Sequence, residues 1–110
     1  MRYYLIDEIS YSDMEKINKF LKQNAIRSEL EKLFWVKIPA DLLNDIQFQH
    51  VECGPHVFAV ELGTDWIRME FFIRNQKDLR CTCQGYCTPL QRNFVLNFAQ
   101  KTIEDLGIRT

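Results

Sequence analysis

Two segments of the chain repeat apolar residues with the period of an α-helix. At 100° per residue, the apolar positions of residues 12–25 and of residues 94–106 each cover one side of a helix, and polar residues cover the other side. The apolar positions of the first segment are Met14, Ile17, Phe20, Leu21 and Ala25, and those of the second are Phe94, Val95, Phe98, Ala99, Ile103 and Leu106. The pattern predicts two long helices, each with one face directed to a core.

Residues typical of helix ends support both assignments. Ser12 precedes Glu15 by three residues, which is the spacing of a capping box at the start of the first helix. The second helix is predicted to begin with Thr88 as N-cap and Pro89 in its first position, and Gly107 suits a left-handed C-terminal cap.

The remaining apolar runs are short and predict strands. Residues 2–9 and 33–39 are rich in β-formers, and 57–62, 66–74 and 79–83 form three further runs separated by turn residues. A short helix is predicted between them, over residues 39–50. Because tight turns join antiparallel strands, we expect an α+β two-layer sandwich over residues 1–110. It is a single domain with a mostly antiparallel sheet, a three-stranded C-terminal meander, the two long helices on one face and the short middle helix.

Composition narrows the range of functions. Fourteen basic and fifteen acidic side chains give a net charge of −1, so no overall field attracts nucleic acid or anionic lipid. No apolar run approaches the roughly 18 residues of a membrane span, which favours a cytoplasmic protein with reduced thiols. The chain lacks the phosphate-binding, dinucleotide-binding and HExxH zinc-protease motifs, and nothing in it indicates an enzyme.

Three of the four cysteines lie within residues 81–87 and allow three interpretations. If 79–83 is a strand, Cys81 and Cys83 share one face and pack as small apolar residues, which is the interpretation the pattern favours. Alternatively, Cys81, Cys83 and Cys87 join Cys53 and His56 as ligands of zinc, although the spacings differ from the usual paired knuckles.

The third interpretation is thiol redox sensing. Cys87 precedes a predicted helix start, where unpaired N–H groups lower a thiol pKa, and Cys83 could resolve an oxidised form across the turn. The two histidines, His50 and His56, flank a turn and are expected to be surface or capping residues.

The face of the meander directed away from the helices mixes charge with aromatic rings. The residues predicted on it are Trp66, Arg68, Phe72, Arg74 and Arg80. Such a face could stack single-stranded nucleic acid, but cross-strand charge pairing and contact with a partner chain account for it better. The sequence therefore predicts a non-enzymatic interaction module that binds a protein partner, or a second copy of itself, through this face or a helix edge. Zinc binding or thiol sensing is the alternative, and nucleic-acid binding comes after both.

Overall fold

The computed structural model describes residues 2–110, within which the chain forms seven strands and three α-helices. In chain order they are β1 (Tyr3–Ile6), α1 (Tyr11–Asn24), β2 (Ile26–Arg27), β3 (Leu33–Lys37), α2 (Asp45–Gln49), β4 (Val57–Leu62), β5 (Ile67–Glu70), β6 (Phe72–Ile73), β7 (Gly85–Tyr86) and α3 (Pro89–Asp105). Two single turns of 3₁₀ helix, Ala40–Leu42 and Val51–Cys53, flank α2.

The main sheet has five strands in the order β1-β5-β4-β3-β2, and all neighbouring pairs are antiparallel. The β4–β5 hairpin lies at its centre. Gly63 is needed in this hairpin because a Cβ there would overlap the ring of Trp66. Strands β6 and β7 form a separate antiparallel pair next to the main sheet. The predicted α+β class with a mostly antiparallel sheet is confirmed.

The long helices α1 and α3 pack on one face of this sheet. Ile17 and Leu21 of α1 and Val95 of α3 are at most 1% exposed and belong to one apolar cluster with the inward residues of β4 and β5. The ring of Phe58 in β4 meets Phe94 and Phe98 edge to face, with centroid separations of 6.3 and 5.7 Å. The two apolar helix faces predicted from the sequence thus form the core.

The ends of α3 agree with the prediction, whereas the start of α1 does not. Thr88 and Gln91 form a capping box, and Gly107 has a φ of 67°. At α1 the N-cap is Ser10, whose side chain accepts from the backbone N–H of Asp13, and Ser12 lies inside the helix. Ser10 is also followed three residues later by an acidic residue, so the spacing alone did not separate the two serines.

The predicted helix over residues 39–50 is interrupted. Asn44 has extended backbone angles and caps α2 through its side chain, which accepts from the N–H of Gln47. The preceding turn is 3₁₀ and ends at Leu43. A capping residue in mid-segment therefore splits the predicted helix in two.

The predicted third strand, 79–83, is wrong: these residues form turns, and the short strand β7 follows them. The cause is Asn75, whose buried side chain accepts from the backbone N–H of Lys77 and Asp78 and donates to the carbonyl of Asp78. These bonds occupy backbone groups that a ladder would need. We call residues 75–84 the 75–84 loop.

Candidate metal centre

The side chains of four residues meet at one corner of the molecule. The residues are His50, Cys53, Cys81 and Cys83, and their ligand atoms, one imidazole nitrogen and three sulfurs, all lie within 4.8 Å of one another. We call this group the Cys/His cluster. Cys53 and Cys83 are buried, and His50 and Cys81 are partly exposed, so the cluster is partly accessible to solvent.

The first half of the Cys/His cluster comes from the end of α2. His50 is the C-cap of α2 and starts the 3₁₀ turn that follows it. The backbone N–H of Cys53 donates to the carbonyl of His50 at 2.9 Å, which closes this turn and places the two side chains together. The segment thus provides a His-x-x-Cys pair fixed by local backbone hydrogen bonds.

The second half comes from the 75–84 loop. The N–H of Cys81 donates to the carbonyl of Asp78 at 3.1 Å, so Cys81 and Cys83 follow a turn that Asn75 holds. The Nδ2 of Asn75 also donates to the sulfur of Cys83 at 3.4 Å. An amide donor to a sulfur is the kind of outer contact that orients a ligand in metal sites.

Direct contacts join the two halves. The Nδ1 of His50 lies 3.1 Å from the sulfur of Cys81, and the N–H of Gln76 donates to the carbonyl of Cys53 at 3.4 Å. All four cysteines are free thiols. The distance between the two halves is therefore set by folding, without a disulfide.

The thiols of the Cys/His cluster differ in their pKa values. Burial, followed by the neighbouring Cys81, raises the pKa of Cys53 to about 12, and burial also raises that of Cys83. A hydrogen bond from the backbone of Cys83 lowers the pKa of Cys81. The two buried thiols, Cys53 and Cys83, resist ionisation, whereas a bound cation deprotonates coordinating thiols outright.

The geometry is close to that of a tetrahedral site. Zinc bound at its usual distances places sulfur and nitrogen ligands about 3.5–3.8 Å from one another. The separations in the Cys/His cluster are at most 4.8 Å, about 1 Å above this range, and the 3.1 Å between the Nδ1 of His50 and the sulfur of Cys81 lies below it. The four residues could therefore hold a metal ion after small side-chain movements.

The Cys/His cluster overlaps with the zinc ligands expected from the sequence but differs in two of them. Cys53, Cys81 and Cys83 meet, whereas Cys87 and His56 are not members. Cys87 packs against the apolar core, and His56 is buried with a pKa lowered by burial and by the charge of His50. Within residues 2–110 the Nε2 of His56 has no hydrogen-bond partner.

Sequence reasoning missed His50. The pair considered was Cys53 with His56, three residues later, while the pair that meets is His50 with Cys53, three residues earlier. Both pairs have the same spacing, and only the 3₁₀ turn that follows α2 determines which pair meets. The lowered pKa that the redox interpretation expects for Cys87 at a helix start is not found, since burial raises the pKa of Cys87 to about 11.

The predicted charged and aromatic face is present on the side of the sheet without helices, which we call the outer face. Trp66, Arg68, Phe72 and Arg74 lie on it and are partly exposed. Arg80 does not, because it lies in the 75–84 loop and not on a strand. Charge pairing across this face follows the prediction, with ion pairs between Arg68 and Glu61 and between Arg74 and Glu70. The partner expected for the face stays a prediction.

Comparison with protein-family models, with curated proteins and with solved structures finds no match to this chain. Among the described residues, no helix is both long and apolar enough to cross a bilayer.

Proposed function

We propose that this protein is a zinc-binding protein whose Cys/His cluster holds one structural Zn²⁺ ion. The observation that carries the proposal is the convergence of three thiols and one imidazole from two separate segments within 4.8 Å. Three sulfurs and one nitrogen in a compact group suit a tetrahedral, borderline-soft ion, and oxygen-preferring cations such as Mg²⁺ or Ca²⁺ do not choose such ligands.

The ligand count assigns a structural role. Four protein ligands complete the coordination of a tetrahedral zinc ion, whereas catalytic zinc sites keep one position for water or substrate. The ion would link the end of α2 to the 75–84 loop, which already meet through the His50–Cys81 contact and the hydrogen bond from the N–H of Gln76 to the carbonyl of Cys53. Its contribution is therefore to fix the loop, and with it the start of β7, against the rest of the domain.

The test is metal content in matched variants. Protein purified without chelators is expected to contain one zinc per chain by elemental analysis, and cobalt replacing zinc is expected to give the absorption of a tetrahedral thiolate site. Cys83→Ser and His50→Ala should lose the ion. The controls are Cys87→Ser and His56→Gln, which change the same residue types outside the cluster and should retain it.

The proposal is contradicted if the wild-type protein binds neither zinc nor cobalt when metal is added to the reduced form. It is equally contradicted if Cys87→Ser or His56→Gln loses the ion and His50→Ala retains it, provided that circular dichroism shows these variants folded. Retention by His50→Ala with loss in both controls would favour the ligand set expected from the sequence.

A further inference from the structure

A second site lies on the outer face, apart from the Cys/His cluster. It is a concave pocket of about 500 Å³, within the size range of small-molecule sites. Its floor is the middle of the sheet, at Ala59 and Glu61, and its walls come from β1, β5, β6 and β7. We call it the outer-face pocket.

The walls of the outer-face pocket are aromatic and carry stacked arginines. Phe72 and Tyr86 meet edge to face at 5.1 Å between ring centroids. The guanidinium carbon of Arg74 lies 5.1 Å from the centroid of Phe72, and that of Arg2 lies 5.6 Å from Tyr86. Arg68 lies 5.2 Å from the ring of Tyr3. Flat guanidinium and ring surfaces of this kind stack other flat rings.

The charges in the pocket favour an anion. Its lining contains three guanidinium groups, those of Arg2, Arg68 and Arg74, against the two carboxylates of Glu61 and Glu70. Arg74 holds both carboxylate oxygens of Glu70 through its Nε and one Nη, and Arg68 holds Glu61. The carboxylates are thus neutralised in pairs, and the lining retains one net positive charge.

The hydrogen-bonding groups that remain unused in the pocket also favour an anion. A guanidinium has five N–H donors, and the bonds of Arg68 and Arg74 to the two glutamates use two donors at most on each. Arg2 donates to the hydroxyl of Tyr86 at 2.8 Å through one of its nitrogens. The remaining polar capacity is mainly donor capacity, which is complementary to carboxylate or phosphate oxygens.

We propose that the outer-face pocket binds a small molecule that combines a flat ring with a carboxylate or phosphate group. The aromatic walls and guanidinium planes contact the ring, and the unused N–H donors contact the anionic group. A long nucleic-acid strand fits less well, because the net charge of the chain is −1 and the lining of the pocket retains only one net positive charge.

The test uses four probes and amide chemical shifts of the metal-loaded protein. Adenosine 5′-monophosphate carries a ring with phosphate, and 1-naphthoate a ring with carboxylate; adenosine lacks the charge, and inorganic phosphate lacks the ring. At least one of the two ring-bearing anions should shift outer-face signals at millimolar concentration. Adenosine, which lacks the charge, and inorganic phosphate, which lacks the ring, should each bind at least about tenfold more weakly than that anion.

Variants locate the site. Arg74→Gln and Arg68→Gln should each weaken binding about tenfold or more, the loss of one charge-assisted bond. The matched control is Arg27→Gln, an exposed arginine on β2 away from the pocket, which should bind as the wild type does. The proposal is overturned if neither ring-bearing anion binds, if adenosine or phosphate binds equally well, or if the arginine variants bind unchanged. None of these results affects the zinc analysis.

Discussion

The core beneath α1 and α3 and the corner around the Cys/His cluster are held together by different forces. The core is a continuous apolar cluster in which Phe58, Val60 and Met69 are at most 1% exposed. The corner has three side chains with sulfur, one imidazole and a network of polar bonds around Asn75, and five consecutive residues of its loop, 76–80, are exposed. Apolar burial stabilises the core whether or not metal is bound, whereas on the proposed function the corner depends on the ion that the cluster holds.

This difference makes the two regions separable by experiment. A change in the core should lower the stability of the whole domain whether or not metal is bound. Loss of metal should act first on the 75–84 loop and the end of α2. On the proposed function, the difference accounts for three of the four free cysteines, which form the Cys/His cluster, whereas Cys87 packs against the apolar core.

The largest effect is expected from Phe58→Ala. The ring is fully buried and contacts Phe94 and Phe98 of α3, so its removal leaves a cavity between sheet and helix. The free energy of unfolding should fall by about 3–5 kcal/mol. Denaturant unfolding with and without added zinc measures it, and the loss should be the same in both conditions.

Phe48→Ala is the matched control for the core. Phe48 lies on α2 and is 67% exposed, so its truncation should change the free energy of unfolding by less than about 1 kcal/mol. If Phe58→Ala cost much more in the metal-free protein than in the metal-loaded protein, the core and the corner would not be independent.

Metal removal should give a smaller and more local effect. At free zinc about 100 times its dissociation constant, bound metal stabilises the bound form by about 3 kcal/mol. Removing zinc with a chelator should therefore accelerate amide exchange in the 75–84 loop by up to about 100-fold and leave these amides weakly protected, while the amides of β4 and β5 stay strongly protected. Cys83→Ser is the control, because its exchange should not respond to zinc. Loss of protection throughout β4 and β5 in the metal-free protein would show that the ion supports the whole fold and not the corner alone.

The sequence predicted the core well because apolar periodicity encodes it directly. The buried faces of α1, α3 and β5 follow the 3.6-residue and two-residue repeats, and the Thr88 and Gly107 caps are local signals. Strand order was not predictable, since β1 pairs with β5 across 60 residues and no turn records that pairing. The two-residue strand β2 and the split of residues 66–74 at Phe71 are likewise set by tertiary contacts.

The corner was predicted only in part, for a physical reason. A cysteine in a run of strand-forming residues is as compatible with core packing as with metal binding, and Cys83 is indeed only 1% exposed. What decided the geometry was Asn75, whose side-chain bonds to the following backbone convert the expected strand into a loop that carries Cys81 and Cys83 to His50. An Asn followed by polar residues is a turn signal. Its effect on the conformation of the next eight residues, however, depends on the burial of its side chain, which no local pattern reveals.

The smallest expected effect comes from the contact between the two regions. Gln91, fully buried at the start of α3, donates from its Nε2 to the carbonyl of Leu42 at 2.9 Å and to the Oε1 of Gln47 at 2.8 Å. Its Oε1 accepts from the backbone N–H of Thr88. This glutamine therefore joins the capping boxes of α2 and α3, and so connects the segment that carries His50 to the core helix.

Gln91→Leu should lower the free energy of unfolding by about 1–3 kcal/mol, because it leaves the Leu42 carbonyl and the Thr88 N–H without their partner in the interior. Gln100→Leu is the control: that residue is exposed on the same helix and its side chain, among residues 2–110, bonds only to Glu104, so a change below about 0.5 kcal/mol is expected. The double variant Gln47→Leu/Gln91→Leu should cost less than the sum of the single changes. The Nε2 of Gln47 is already without a partner within residues 2–110, and replacing both members of a buried pair removes polar groups that one substitution would orphan. Strict additivity in denaturant unfolding would show that α2 and α3 are not coupled through this pair.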